Sequence, residues 1–142
     1  MTITEFCLRI GAAMLAGMII GLERQLNRKT TGLRTNTLVA LGSTLYVLLS
    51  LNITPEHGDI TRIIGQVVTG IGFLGAGIIF REGANIHGLT TAATVWCSSA
   101  IGCMAGAGLF AESAIATVAI VGVNLVLMPI DNRLSRRKNM PE

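Results

Sequence analysis

Charge is what this sequence has least of. Asp, Glu, Lys and Arg make up 13% of its 142 residues, about half the share of a soluble domain, while 51% are hydrophobic. A soluble chain so composed has too little polar residue to cover its surface. The scarcity is also uneven. No charged side chain occurs in residues 35–55, 63–80, 83–111 or 113–130. Each run is long enough for a helix to cross about 30 Å of hydrocarbon at about 1.5 Å per residue. A fifth run, 10–22, reaches that length only if its helix begins near Ile3 and carries Arg9 inside it. The expected fold is an all-α membrane protein, a compact bundle of five glycine-rich transmembrane helices. The spans fall at about 3–22, 36–53, 63–80, 90–109 and 113–130, within a domain of residues 1–132 followed by a basic tail at 133–142.

Other absences narrow the function. The three cysteines, Cys7, Cys97 and Cys103, form no C-x-x-C pair, which argues against a disulfide framework or a zinc site; buried free thiols are expected. No Asp or Glu lies in the charge-free interior of any span. Mg²⁺ favours oxygen ligands, commonly one or two carboxylates, and the nearest acids, Glu5, Glu23, Glu82 and Glu112, sit at span ends. An outer group of Glu56, His57, Asp59 and Glu112 is the remaining candidate, and no metal or cofactor is assigned. No nucleophile–base pair is recognisable, and His57 and His87 fall on opposite sides of the membrane, so an enzyme is not expected. The opening "MTITEF" has no basic leader and carries Glu5; the first helix is expected to be retained rather than cleaved.

The few charges present are lopsided. Arg24, Arg28, Lys29, Arg34, Arg81, Arg133, Arg136, Arg137 and Lys138 share one side of a five-span topology, against Arg62 and the neighbouring Arg9 on the other. Basic residues near span ends stay cytoplasmic. The N-terminus is therefore expected outside and the C-terminus inside, and the net charge of +3 is accounted for without nucleic acid. The basic tail is expected to lie against anionic lipid.

Glycine is abundant, with 17 residues. The stretch "GIGFLG" (70–75) matches the dinucleotide fingerprint G-x-G-x-x-G, which works only between a strand and a helix N-terminus. Here it lies inside a span, and no acid occurs between Glu82 and Glu112 to hold a ribose. The nucleotide reading fails. On a helix, Gly65, Gly72, Gly75 and Ala76 form one smooth stripe, and Gly70 and Gly77 a second. Small residues let helices approach closely in lipid, so the third span is expected at the centre of the bundle. Ala13-Gly17-Gly21 and Ser98-Gly102-Gly106 repeat the device at i, i+4, i+8. A stripe left over, with Gly102 as the example, would serve a dimer or a partner.

Polar residues in the spans need partners. Arg9 has Glu5 one turn away and can also snorkel to the outer interface. Gln66 and Asn124 are expected to hydrogen-bond across the bundle; a solute pathway would use the same groups. The cytoplasmic edge gathers Glu23, Arg24, Arg34, Asn36, Arg81, Glu82, Asn85 and His87. There Gly83 and Gly88 make a turn, and Thr90 or Thr91 caps the fourth helix. One reading is structural, with Glu23 and Glu82 meeting arginines to fasten helix ends. The other is a recognition surface for a ligand or partner, made pH-sensitive by His87.

The segments "GLERQ" (21–25), "GLRTNTLVALG" (32–42), "QVVTGIGFLGAGIIFREG" (66–83) and "HGLTTAATVW" (87–96) together resemble the MgtC/SapB family of bacterial inner-membrane proteins. The resemblance covers all but the outer loops, the start of the first helix and the fifth helix. It implies a small multi-pass membrane domain linked to growth in low magnesium, acid stress and, in pathogens, survival inside macrophages. It also implies regulation, including effects on the proton-driven ATP synthase and membrane potential, rather than magnesium transport. By motif position the family's polar residues fall on Glu23, Arg24, Arg34, Thr35, Asn36, Arg81, Asn85, Thr90 and Thr91. Virulence-associated members continue into a soluble domain resembling an ACT fold that this stretch does not contain. Functions depending on that domain are not implied. The expected function is a non-enzymatic regulator working through helix contacts with membrane lipids, other inner-membrane proteins and further copies of itself. The alternative is a small oligomeric transporter with Gln66, Asn124 and Arg9 along its path.

Overall fold

A computed structural model describes residues 1–53, 59–83 and 85–138, the last eight and Asn85 by backbone only. Glu56 and His57 of the outer acidic group lie outside the described residues. Five helices follow in order: α1 (Ile3–Leu26), α2 (Leu33–Ile53), α3 (Ile60–Ile78), α4 (Leu89–Ala107) and α5 (Phe110–Lys138). Among the described residues α1, α2, α3 and residues 110–130 of α5 are long and apolar enough to cross a membrane. A short antiparallel hairpin, β1 (Phe80–Glu82) with β2 (Asn85–His87), joins α3 to α4 and pairs Phe80 with His87. The sequence reading did not include this hairpin.

Local chemistry explains the ends. Thr2 and Glu5 form a reciprocal capping box at the start of α1. Glu5 is thereby used, and Arg9 goes elsewhere: its Nη1 donates to the Gly106 carbonyl at 2.7 Å. A cation there meets the negative end of α4. Gly108, in the left-handed conformation at φ 85°, leaves room for the guanidinium. Asp59 caps α3 by accepting from the Thr61 hydroxyl and backbone N–H. These bonds hold its carboxyl below the usual range, so the cap is intact at neutral pH and is lost as pH falls through that lowered value. The fifth helix does not stop at the end of its apolar run but continues to Lys138 through Pro129, so most of the expected tail is helical.

The core is α1, α2 and α4. An ideal Cβ on Gly17 would lie 2.7 Å from the Thr37 Cα, and one on Gly21 2.6 Å from the Leu33 Cα. On Gly102 it would lie 2.1 Å from the Ala40 carbonyl oxygen, and on Gly106 2.9 Å from the Val47 Cβ. The stripes in the first and fourth spans are thus both pressed onto α2. Hydroxyls fasten the same seam: Ser98 donates to Asn36 Oδ1 at 2.9 Å, Ser43 meets Ser99 at 2.7 Å, and Thr44 donates to the Gly102 carbonyl at 2.7 Å. Removing one member orphans its partner, so Ser43→Ala is expected to lower stability by about 0.6 kcal/mol, with Ser43→Ala/Ser99→Ala costing less than the sum. Equilibrium unfolding in mixed micelles measures both. On the other side, Ile20 and Ile101 meet Ala116, Ile120 and Val121 of α5.

The expected position of the third span is corrected. Only Ile71 of α3 is buried. Gly65, Gly70, Gly72 and Gly77 have open space where a Cβ would stand, and Gly75 alone faces a neighbour, Ala92 at 3.8 Å. These glycines therefore do not tighten this chain's own bundle. The helix at the centre is α4, whose Thr91, Thr94, Ser98 and Ser99 are buried. Gly102 is accordingly no exposed stripe. The thiols are corrected too: Cys103 is buried, Cys97 half-buried and Cys7 exposed, because Cys7 lies on the outer face of α1.

Candidate functional site

At the end of α1, two charged side chains turn inward. Glu23 and Arg24 are 6% and 2% exposed, little enough that each must find its partners inside the protein. Glu23 Oε1 accepts from Asn27 Nδ2 at 2.7 Å and Oε2 from Asn124 Nδ2 at 3.1 Å. Asn124 thus ties α5 to α1. Arg24 Nη2 donates to Thr91 Oγ1 at 3.1 Å, in the first turn of α4. Among the described residues its Nε has no partner, nor has the buried Thr31 hydroxyl. Asn36, fully buried, donates to the Gly32 carbonyl at 2.9 Å and accepts from Ser98. The result is an enclosed polar cluster at one end of a close-packed apolar bundle.

The expected cytoplasmic edge is therefore split. Glu23, Arg24, Asn36 and Thr91 are inside, while Arg34, Thr35, Arg81, His87 and Thr90 are exposed; the Asn85 side chain lies outside the described set. The expected carboxylate–arginine fastening is replaced. Glu23 uses amides, Glu82 approaches His87 Nε2 at 3.9 Å, and Arg81 Nε donates to the Gly83 carbonyl at 2.8 Å. His87 also stacks on Phe80, ring centroids 5.3 Å apart. Neither threonine caps α4. Its N-cap is Gly88 at φ 86°, with no side-chain cap, because Ile78 O would lie 2.3 Å from any Cβ there.

The intramembrane polar residues also separate. Arg9 and Asn124 are engaged at opposite ends of α1, on Gly106 and Glu23. Among the described residues Gln66 has no hydrogen-bond partner across the bundle. It lies exposed in an apolar groove of about 710 Å³ between α2 and α3, with Ser43, Tyr46 and Gly70 among the lining residues. A second groove of about 340 Å³, bordered by Gly72, Gly75, Ala92 and Trp96, runs between α3 and α4. Among the described residues no group of three His, Cys, Asp or Glu is placed to hold a metal.

The sequence profile of the MgtC family matches residues 10–133, a stretch that includes part or all of each of the five helices. The chain belongs to the MgtC family. Protein MgtC of Brucella abortus (strain 2308) is 51% identical over 127 residues, covering 89% of this chain and 52% of its own. Protein MgtC of Salmonella typhimurium (strain 14028s / SGSC 2262) is 45% identical over 136 residues, covering 96% and 58%. The chain spans about half the length of the curated MgtC relatives it matches. No solved structure matches it. The MgtC-family match and the four apolar helices together make this a membrane protein.

Sequence reasoning missed Thr31, Thr94 and the Ser43–Ser99 pair. A signal for α4 was present: Thr91, Thr94 and Ser98 extend the Gly102-Gly106 stripe at spacings of three and four.

Proposed function

We propose that this MgtC-family chain is a non-enzymatic bacterial inner-membrane protein that regulates another membrane protein through helix contacts, in adaptation to low magnesium, acid stress or intracellular survival. Its N-terminus lies outside and its C-terminus in the cytoplasm, following the basic asymmetry. α4 crosses with the other four helices, since its two ends bond to Arg24 and Arg9 near the two ends of α1. The observation that carries the proposal is the uneven distribution of small residues. Gly17 and Gly21 of α1 and Gly102 and Gly106 of α4 are used up against α2, whereas Gly65, Gly70, Gly72 and Gly77 of α3 all face open space. Close helix approach in lipid needs such a surface. The ATP synthase is the partner suggested by family resemblance, and a second copy of this chain is the other outcome of a contact experiment.

The transporter reading has less support, because Arg9, Asn124 and Gln66 go to three separate places. Flux of Mg²⁺, K⁺ and H⁺ into liposomes holding only the purified chain tests the choice. The expected result is no saturable flux of any of the three. Saturable flux that disappears in Gln66→Leu overturns the proposal.

A further inference from the structure

An amide on the lipid-facing side of α3 has no use within the bundle. Gln66 lies about 9 Å along the helix from Ile60, at about 1.5 Å per residue, in a segment apolar enough to cross the membrane. Ile71 is buried and Gly75 faces Ala92, so that side of α3 turns to the bundle. At about 100° per residue, Gln66 stands about 140° from Ile71 and about 180° from Gly75. It is exposed at the lip of the α2–α3 groove and, among the described residues, has no partner across the bundle. An amide without a hydrogen bond is unfavourable in hydrocarbon, and lipid tails offer neither donor nor acceptor.

The residues that share its face are open to close approach. Gly70 and Gly77 lie within about 40° of Gln66, each with free space where a Cβ would stand. Phe73, 81% exposed, lies between them. Gly65 and Gly72 fall about 100–120° away, outside this seam. Copies of one chain cross the membrane in the same sense, set by the same basic asymmetry. A two-fold axis along the membrane normal therefore keeps every residue at its own depth and lays one face on itself. Gln66 then meets Gln66 of the second copy. A carboxamide both donates and accepts, so two reciprocal bonds satisfy both amides. Gly70 and Gly77 let the two helices come close, and the groove bordered by Gly42, Gly70 and Leu74 receives Phe73 of the second copy. An acyl chain would fill the groove and leave the amide unpaired. A different protein would need a matching polar group at that depth, whereas a second copy always carries one. We propose that the Gln66–Gly70–Phe73–Gly77 face of α3 is the seam of a parallel, two-fold homodimer. The inference rests on α3 as the contact helix of the proposed function, and it leaves the Gly65–Gly72 side to another membrane protein.

The test is Förster transfer between full chains carrying donor or acceptor at the C-terminus, mixed in phosphatidylcholine vesicles at rising lipid-to-protein ratio. Wild-type transfer is expected to fall on dilution as a monomer–dimer equilibrium. Gln66→Leu is expected to weaken association about tenfold, equivalent to about 1.4 kcal/mol, because two interhelical bonds are lost. Gln66→Asn, which keeps an amide, is expected to retain most of it. Gly77→Leu is expected to abolish transfer, and Gly72→Leu to leave it unchanged. These side chains stand in open or exposed positions, so each chain keeps its own fold, which Trp96 fluorescence on thermal unfolding verifies. No transfer in the wild type overturns the proposal. So does transfer unchanged in either Gln66→Leu or Gly77→Leu, or transfer lost in Gly72→Leu. Crosslinks from positions 65 and 72 to another membrane protein are read separately, so failure of this seam is distinguishable from failure of the regulatory reading.

Discussion

Gly102→Ala is expected to lower the stability of the bundle by about 3 kcal/mol, although it adds one methyl group. The new Cβ would stand 2.1 Å from the Ala40 carbonyl oxygen and 2.9 Å from the Ala40 Cα. Both are backbone atoms, so no rotamer change relieves the clash and the helices must separate. Overpacking of this kind costs about 1–3 kcal/mol. Separation also stretches the Thr44–Gly102 and Ser43–Ser99 bonds, worth about 0.6 kcal/mol each in a membrane interior. Unfolding in mixed micelles measures the loss. Gly72→Ala is the control, since open space surrounds Gly72 and its stability is expected to stay within about 0.5 kcal/mol. A destabilised Gly72→Ala beside an unaffected Gly102→Ala would place α3 at the centre after all.

Asn124→Leu and Gln66→Leu are expected to diverge. Asn124 is the α5 donor to a Glu23 carboxylate that is almost fully buried. Replacing it leaves an oxygen without its partner in a dry interior, at a cost of about 1–3 kcal/mol. Gln66 is exposed in the α2–α3 groove and among the described residues donates to nothing across the bundle, so Gln66→Leu is expected to be neutral within about 0.5 kcal/mol. A pore lined by both amides would lose flux in both variants with little loss of stability in either. Measuring unfolding and flux on the same two proteins separates these outcomes.

Helical membrane character was legible because hydrocarbon thickness and charge cost act on composition, which any chain displays directly. The glycine stripes of α1 and α4 were legible for a similar reason: a spacing of four is a helix face whatever its surroundings. The order of the helices was not. Gly65, Gly72 and Gly77 of α3 look like interior packing residues, yet stand open. In lipid, apolarity does not distinguish a buried face from an exposed one. The better guide to the centre was polarity, since Thr91, Ser98 and Ser99 of α4 find their partners on α1 and α2. The polar cluster was half legible. Glu23, Arg24, Asn36 and Thr91 stood out as family-motif positions. That they point inward while Arg34, Arg81 and Thr90 point outward depends on tertiary geometry. The Glu5–Arg9 pairing failed for a local reason, because the capping box with Thr2 claims Glu5 first.

Whether α3 offers its open face to another protein is tested most directly by site-specific photo-crosslinking along that helix in native membranes. Probes at Gly65 and Gly72, which face open space, are expected to yield adducts with a second membrane protein or a second copy of the chain. A probe at Ile71, the buried residue of α3, is expected to yield only crosslinks within the chain. Lipid adducts alone at 65 and 72, in folded protein at its native level, would contradict the assignment of α3 as the contact helix.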